Sequence, residues 1–339
     1  GSGKDADGIR IGYANRRSIR GGSRPCRKMP PAGRLHGAFK VKEGFKCGVV
    51  AIAGRPNVGK STFLNKVTGS KLAIVTPKPQ TTRDRILGIF SGDDGQILFH
   101  DTPGIHESSK PMNRRMVARA ISALADADVV LMMTDATRPE QAIREDATVI
   151  ARVRESGKPA VLAINKIDRI DKPLLLPLMS EYMKHGNFAA VIPISARKGG
   201  GVNDVVKELL RMLPAGEPLF PEDELSDRPL RFLAAEIIRE KVTLLTHQEV
   251  PYSTAVTIES WTDGSARKAT RIEATIHVER DSQKAIVIGQ GGSLLQRIGT
   301  QARVEIEELA GSRVMLSLNV VTEDNWTESD KNLDRLLGE

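Results

Sequence analysis

The stretch GRPNVGKSTFLNKVTG, residues 54–69, directly follows the apolar run CGVVAIA at 47–53. A chain that leaves a buried strand through glycines and opens a helix on a lysine and two hydroxyls has few folds open to it. The spacing is G-x-x-x-x-G-K-[ST], carried by Gly54, Arg55, Pro56, Asn57, Val58, Gly59, Lys60, Ser61 and Thr62. Glycines let the backbone turn its N–H groups inward, and the helix N-terminus adds the positive end of its dipole. The loop is therefore a cradle for phosphate. Lys60 would reach the outer phosphates and the Ser61 hydroxyl would hold Mg²⁺.

The segments that follow agree with that demand. Short apolar runs read as strands: GVVAIAG, RILGIFSG, GQILFHD, VVLMMTDA, PAVLAINK and AVIPISA. Between several of them, as at 113–126 and 141–155, amphipathic helices are expected. Strands alternating with helices predict an α/β domain over 47–215, a mostly parallel sheet with helices on both faces. The Pro-rich, acidic stretch ending at 229 reads as a linker, 216–229. A smaller α+β unit, 230–339, follows, with a helix near 232–246, strands near 252–260 and 271–279, and a last strand at 313–321.

Three further motifs fall at strand ends in the first domain. In DTPG, Asp101 would act on Mg²⁺ through water, and the Gly104 amide would face a terminal phosphate, with Thr102 and Pro103 in the same turn. In NKID, the Asp168 carboxylate can accept two hydrogen bonds from the N1–H and 2-amino edge of guanine. Adenine has neither donor there, so Asp168 selects guanine over adenine. Asn165 and Lys166 would brace that loop, with Lys166 over the base. In SAR, Ser195 and Ala196 follow the next strand, and the Ala196 amide could meet the guanine oxygen. Four motifs in order, each at the carboxyl end of a strand, point to bound GTP or GDP. Between the first and second, KPQTTRDR (78–85) supplies a threonine to close on Mg²⁺, Thr82 with Thr81 as the alternative, in a loop that would order around a γ-phosphate. Lys60, Thr82 and Gly104 are the residues expected to act on the reacting phosphate.

Hydrolysis is expected to be slow. The position after Gly104, where Ras-type switches place a water-orienting glutamine, is Ile105. His106 follows and is read as a bystander.

In the second unit, Gly289-Gln290-Gly291-Gly292 is a G-x-x-G turn between apolar positions and an amphipathic helix. A G-x-x-G loop joining two helices beside a small sheet is how a type II KH module clamps single-stranded nucleic acid. The expected contact set is Lys284, Ile288, Gly289, Gln290, Gly291, Gly292 and Arg297.

Net charge is +8, but its location matters. Residues 1–46 carry +9, 47–225 carry +3 and 226–339 carry −4. The basic excess therefore belongs to a Gly-, Arg- and Ser-rich tail, read as disordered, and the overall charge says nothing about RNA binding by the folded part. An Arg-rich, acid-poor start also fits an organelle transit peptide. Cys26 and Cys47 stand in no metal or redox spacing. No run reaches membrane-spanning length, and no apolar signal core opens the chain.

Taken together, GRPNVGKSTFLNK, PKPQTTRDRILGI, DTPGIH, NKID and PISA, followed by RFLAAEIIREK and IGQGGSLLQRIG, resemble the Era family, bacterial GTPases with a C-terminal KH domain. The resemblance runs from about residue 47 to the end. It implies hydrolysis of GTP to GDP and phosphate, and binding near the 3′ end of small-subunit (16S) ribosomal RNA. It implies a role in small-subunit assembly and maturation, by a cytoplasmic monomer that also associates peripherally with the inner face of the cell membrane. It implies a potassium ion at the phosphates beside Asn57, and it accommodates an aliphatic residue at 105. Two features depart from the family pattern. The loop tip carries Gln290 and Gly291 where a basic residue is common, and the basic tail is an addition. Two other readings stay open: an RNA chaperone with GTP as a static structural ligand, and a membrane-surface signalling GTPase anchored by the tail.

Overall fold

The computed structural model describes residues 11–12, 44–78, 81–83, 86–104, 111–265 and 268–337. The chain divides into two compact units at Arg228/Pro229.

The first unit is built on six strands: β2 (Lys46–Ala53), β3 (Ile86–Gly92), β4 (Gly95–Asp101), β5 (Val129–Asp135), β6 (Ala160–Asn165) and β7 (Ala190–Pro193). They lie in the order β3-β4-β2-β5-β6-β7, all parallel except β3, which forms a hairpin with β4. The central strands are apolar along their whole length because both faces are covered. On one face α2 (Pro111–Asp126), α3 (Pro139–Glu155) and α4 (Leu175–His185) pack Ala120, Leu124, Val149, Val153, Leu178 and Tyr182 onto Ala51, Val130 and Leu162. On the other lie α1 (Lys60–Thr68) and α5 (Val202–Met212). Local signals agree: α3 opens on Pro139 and Glu140 and closes on Arg152 and Arg154, each charge suited to its end of the helix dipole. Strand β2 has β4 on one side and β5 on the other, so the connections leave it in opposite directions. The crevice this opens at the carboxyl end of β2 is where such sheets bind ligands.

The stretch read as a linker behaves differently along most of its length. Gln96, buried in β4, accepts from Leu219 N (2.8 Å) and Phe220 N (3.0 Å) through Oε1, and its Nε2 donates to Phe220 O (2.9 Å). Ile89 N donates to Leu225 O at 2.8 Å, and Ser226 Oγ to Leu87 O at 2.6 Å. Residues 216–228 are thus a strap along the β3–β4 hairpin. The reason is that an edge strand leaves backbone groups unpaired, and this segment supplies partners.

The second unit contains α6 (Leu230–Leu245), β8 (Ala255–Thr262), β9 (Thr270–Val278), α7 (Asp281–Ile288), α8 (Ser293–Ala310), β10 (Val314–Thr322) and α9 (Asp330–Leu337). Strand β9 pairs antiparallel with β8 and parallel with β10. Ile237, Ile298, Ala302 and Ile306 of α6 and α8 pack on Ile272, Ile276, Leu316 and Leu318. A two-residue strand, β1 (Ile11–Gly12), adds antiparallel to β10. The expectation of disorder throughout 1–46 therefore fails at Ile11–Gly12, and also at 44–46, which lead into β2. The other residues of that tail lie outside those described.

Candidate nucleotide site and nucleic-acid interface

The loop between β2 and α1 takes the form its glycines permit. Gly59 has φ +105°, and a Cβ there would lie 2.2 Å from Asn165 Nδ2, so a side chain would be strained and would displace the Asn165 amide. Lys60 is buried, and its Nζ donates to Gly54 O and Arg55 O, both at 3.0 Å. Burial pulls its pKa down to about 8, while Asp101 and Asp146 oppose the shift by favouring the charged form.

Three oxygens converge beside Lys60. Ser61 Oγ donates to Asp101 Oδ2 at 2.7 Å and lies 3.0 Å from Thr82 Oγ1. Asp101 is fully buried, its carboxyl pushed up by burial and held down by Lys60 and the two hydroxyls. Its second oxygen, Oδ1, has no hydrogen-bond partner among the described residues. Two hydroxyls and a carboxylate with a spare buried oxygen form a hard oxygen set that fits Mg²⁺. Between the two threonines the structure discriminates. Thr82 faces Ser61, whereas Thr81 turns back into its own loop, onto Lys78 O (2.8 Å) and Thr76 Oγ1 (2.7 Å).

The remaining motifs close the other end of the crevice. Asn165 Nδ2 donates to Val58 O at 2.7 Å, and its Oδ1 accepts from Ala196 N at 2.9 Å. One side chain thereby staples the phosphate loop to the SAR loop. Lys166 sits in the left-handed region with φ +66°; its Nζ donates to Asn57 O at 2.8 Å and pairs with Asp135. Asp168 accepts from Ser195 Oγ at 2.7 Å, and that bond with nearby Lys198 keeps its carboxyl below the usual range, ready to accept. Gly104 is packed against Pro56: a Cβ there would lie 2.6 Å from Pro56 N.

A cavity of about 580 Å³ opens between these loops. Of the residues expected at the site, Pro56, Asn57, Gly59, Lys60, Ser61, Thr62, Thr82, Gly104, Asn165, Lys166 and Asp168 line it, and so does the alternative threonine, Thr81. Gly54, Val58, Asp101, Thr102, Pro103, Ser195 and Ala196 do not; Thr102 instead donates to Ile52 O at 2.7 Å, tying DTPG to β2. Arg55 points away from the cavity altogether, onto α3. Sequence reasoning missed Ile74, Val75, Thr76, Pro77, Arg169 and Arg197, which also line it. The two arginines directly follow NKID and SA, a usable signal; the 74–77 stretch carries none. Ile105 and His106 lie outside the described residues.

In the second unit, Gly289 to Gly292 join α7 to α8, with Gly289, Gly291 and Gly292 all at positive φ. Gln290 and Gly291 are exposed at the tip. Arg297 projects from α8 into solvent, and Lys284 and Ile288 are half-buried on α7. Among the described residues no helix is long and apolar enough to cross a membrane, and no cluster of His, Cys, Asp or Glu forms a further metal site.

A guanine-type loop facing a phosphate cradle on one mostly parallel sheet, joined to an α+β unit with an exposed G-x-x-G turn, defines a class: a P-loop GTPase carrying a KH domain. Family models match in the same two places, a 50S ribosome-binding GTPase over 49–166 and a KH domain over 249–326. GTPase Era of Syntrophus aciditrophicus is 49% identical over 290 residues, 85% of this chain and 94% of that one. The protein of the same name from Xylella fastidiosa is 45% identical, over 85% and 96%. Era from Aquifex aeolicus, solved as a tyrosine-to-alanine variant with GDP and aluminium fluoride, superposes with a TM-score of 0.82 at 42% identity, over 87% of this chain and 99% of that one. Era in complex with MgGDPNP and nucleotides 1506–1542 of 16S ribosomal RNA gives 0.82 at 43% identity, with the same coverage. The chain belongs to the Era family of GTPases.

Proposed function

We propose that this GTPase is a switch that binds the 3′ region of 16S ribosomal RNA through its KH domain and assists assembly of the small ribosomal subunit. The observation that carries the switch is the Ser61–Asp101–Thr82 cluster, which joins the phosphate loop, the DTPG turn and the KPQTTRDR loop at one point. Ser61 and Thr82 would hold Mg²⁺ directly and Asp101 through water. The ion would neutralise charge on the β- and γ-phosphates. Lys60 Nζ, held on the carbonyls of Gly54 and Arg55, would turn its third N–H to phosphate oxygens, and the Gly104 amide would meet the γ-phosphate. Asp168 would read guanine, Ala196 N its oxygen, and Asn165 would hold the two loops in register. Arg55 enters this reading through its backbone alone.

Asn57 has φ +64° and its Nδ2 donates to Pro77 O (3.0 Å), so its Oδ1 would be the atom to hold a potassium ion at the phosphates. On the KH unit, Gly289 to Gly292 would seat the sugar–phosphate backbone, with Lys284, Ile288 and Arg297 beside it. The protein would work as a cytoplasmic monomer with peripheral membrane association.

GTP turnover tests the reading, with and without an oligonucleotide of the 16S 3′ end, in potassium and then sodium at fixed ionic strength. Gly291→Asp is the companion variant. No atom lies within 4 Å of the Cβ it adds, and aspartate tolerates φ +58°, so it should fold while setting a carboxylate where phosphate would lie. RNA should change turnover in the parent and not in the variant. Binding without any change in turnover would favour the static-ligand reading, and absence of RNA binding would overturn the proposal.

A further inference from the structure

Helix α3 buries one face made of Ala142, Asp146, Val149, Ile150 and Val153, so an aspartate stands in an apolar stripe with no access to water. A buried carboxylate is strongly unfavourable unless charge and hydrogen bonds answer it fully. Asp146 is answered from three elements. Arg55 Nε donates to Oδ1, while Thr134 Oγ1, near the end of β5, and Tyr182 OH of α4 (2.6 Å) donate to Oδ2. The same guanidinium donates from Nη1 to Glu145, next along α3. A planar fork of donors suits two adjacent carboxylates; a lysine could not span them.

Arg55 is the second residue of the phosphate loop. Its side chain leaves the cradle, but its backbone stays in it, and Lys60 rests on the carbonyls of Gly54 and Arg55. Gly54 is itself pressed onto β5: a Cβ there would lie 2.5 Å from Met133 O. The leading turn of the loop is therefore held below by β5 and sideways by α3, and the sideways hold is a single side chain.

We propose that Asp146 is a positioning residue for nucleotide binding. Through Arg55, and with Glu145 as the second prong, it fixes the leading turn of the phosphate loop and so the place from which Lys60 meets phosphate. The inference rests on the phosphate-loop reading of residues 54–62. It explains an ion pair that stability alone would not require, since apolar residues of like volume fill such sites at least as well.

The test uses the full chain and four proteins: parent, Arg55→Met, Asp146→Asn and the double variant. Melting temperature and the Kd for a fluorescent GDP are read on each. Arg55→Met alone strands a buried carboxylate and should melt lower. The double variant removes both charges and should regain most of that loss. Positioning requires that the double variant still bind GDP about tenfold more weakly than the parent, because the loop is no longer held in register. Recovery of GDP affinity together with the melting temperature would make the pair structural only and overturn the proposal. Should the double variant not fold, Glu145→Gln removes one prong from a half-exposed position. About threefold weaker GDP binding at unchanged melting temperature is then expected, and no change overturns the proposal. Failure of the underlying reading shows elsewhere, as parent-like GDP affinity in Lys60→Ala.

Discussion

Asn165→Ala isolates the contact on which the two ends of the nucleotide site depend. The side chain is buried and makes two bonds, from Nδ2 to Val58 O at 2.7 Å and from Ala196 N to Oδ1 at 2.9 Å. Alanine leaves one carbonyl and one amide without partners, and each such buried group costs about 1–3 kcal/mol. Both groups lie on loops beside an open cavity, so in the free protein they can shift toward water and recover part of the loss. With nucleotide bound, the loops are fixed and that recovery is denied. The penalty therefore falls mainly on affinity: roughly 2 kcal/mol, or about 30-fold in the Kd for GDP. Calorimetric titration of GDP at fixed Mg²⁺ measures it, with a thermal scan of the free protein alongside. Asn165→Asp gives the sign check. It keeps an acceptor for Ala196 N but sets a carboxylate against the Val58 carbonyl, so it should bind GDP more weakly than Asn165→Ala. Affinity within threefold of the parent for Asn165→Ala, or tighter binding by Asn165→Asp, would refute the staple.

Thr82→Ala should slow GTP turnover by about tenfold or more, while Thr81→Ala, whose hydroxyl bonds Lys78 O and Thr76 Oγ1, should change it less than about threefold; turnover at saturating Mg²⁺ distinguishes them. Gln96→Leu removes three hydrogen bonds that tie the strap to β4, at about 1 kcal/mol each for partly buried groups, so calorimetry should show the first unit melting roughly 6–12 °C lower. A loss under about 1 kcal/mol would mean that Gln96 does not hold the strap. His277 is buried between Glu323 (2.6 Å) and Thr257 (2.8 Å), and burial lowers its pKa against the pull of Glu323. A histidine with a depressed folded pKa contributes stability that is full above the unfolded value, about 6.5, and lost as pH falls toward the folded one. The KH unit should thus unfold at lower urea at pH 5.5 than at pH 7.5, and His277→Gln should flatten that difference.

How far the sequence could be read depended on whether chemistry or packing chose the residue. Phosphate and guanine accept few partners, so Lys60, Ser61, Asp101 and Asp168 had to be those types at strand ends, and the fold that brings strand ends together followed from them. The strands themselves were legible because burial on both faces makes them apolar throughout. Gln96 was not. A glutamine in GQILFHD has no periodic meaning, and its partners lie 123 and 124 residues away. For the same reason a Pro-rich acidic stretch looked like a linker: composition reports solvent affinity, not which backbone groups an edge strand leaves unpaired.

Arg55 shows the limit most sharply, because the motif places it in the loop without saying which way its side chain faces, and it faces α3. A motif specifies the backbone path, and along that path a side chain can face the ligand or the scaffold. The deciding information sat on Asp146, 91 residues on, as a charge in the buried stripe of α3. An ionisable residue at a core position of an amphipathic helix requires a partner of opposite charge. Among the arginines near this site, the one beside a rigid glycine turn needs least reordering to supply it. The charge is in the sequence and its neighbours only in the fold, and together they turn an apparent fault in a helix stripe into a pointer to the loop the helix holds.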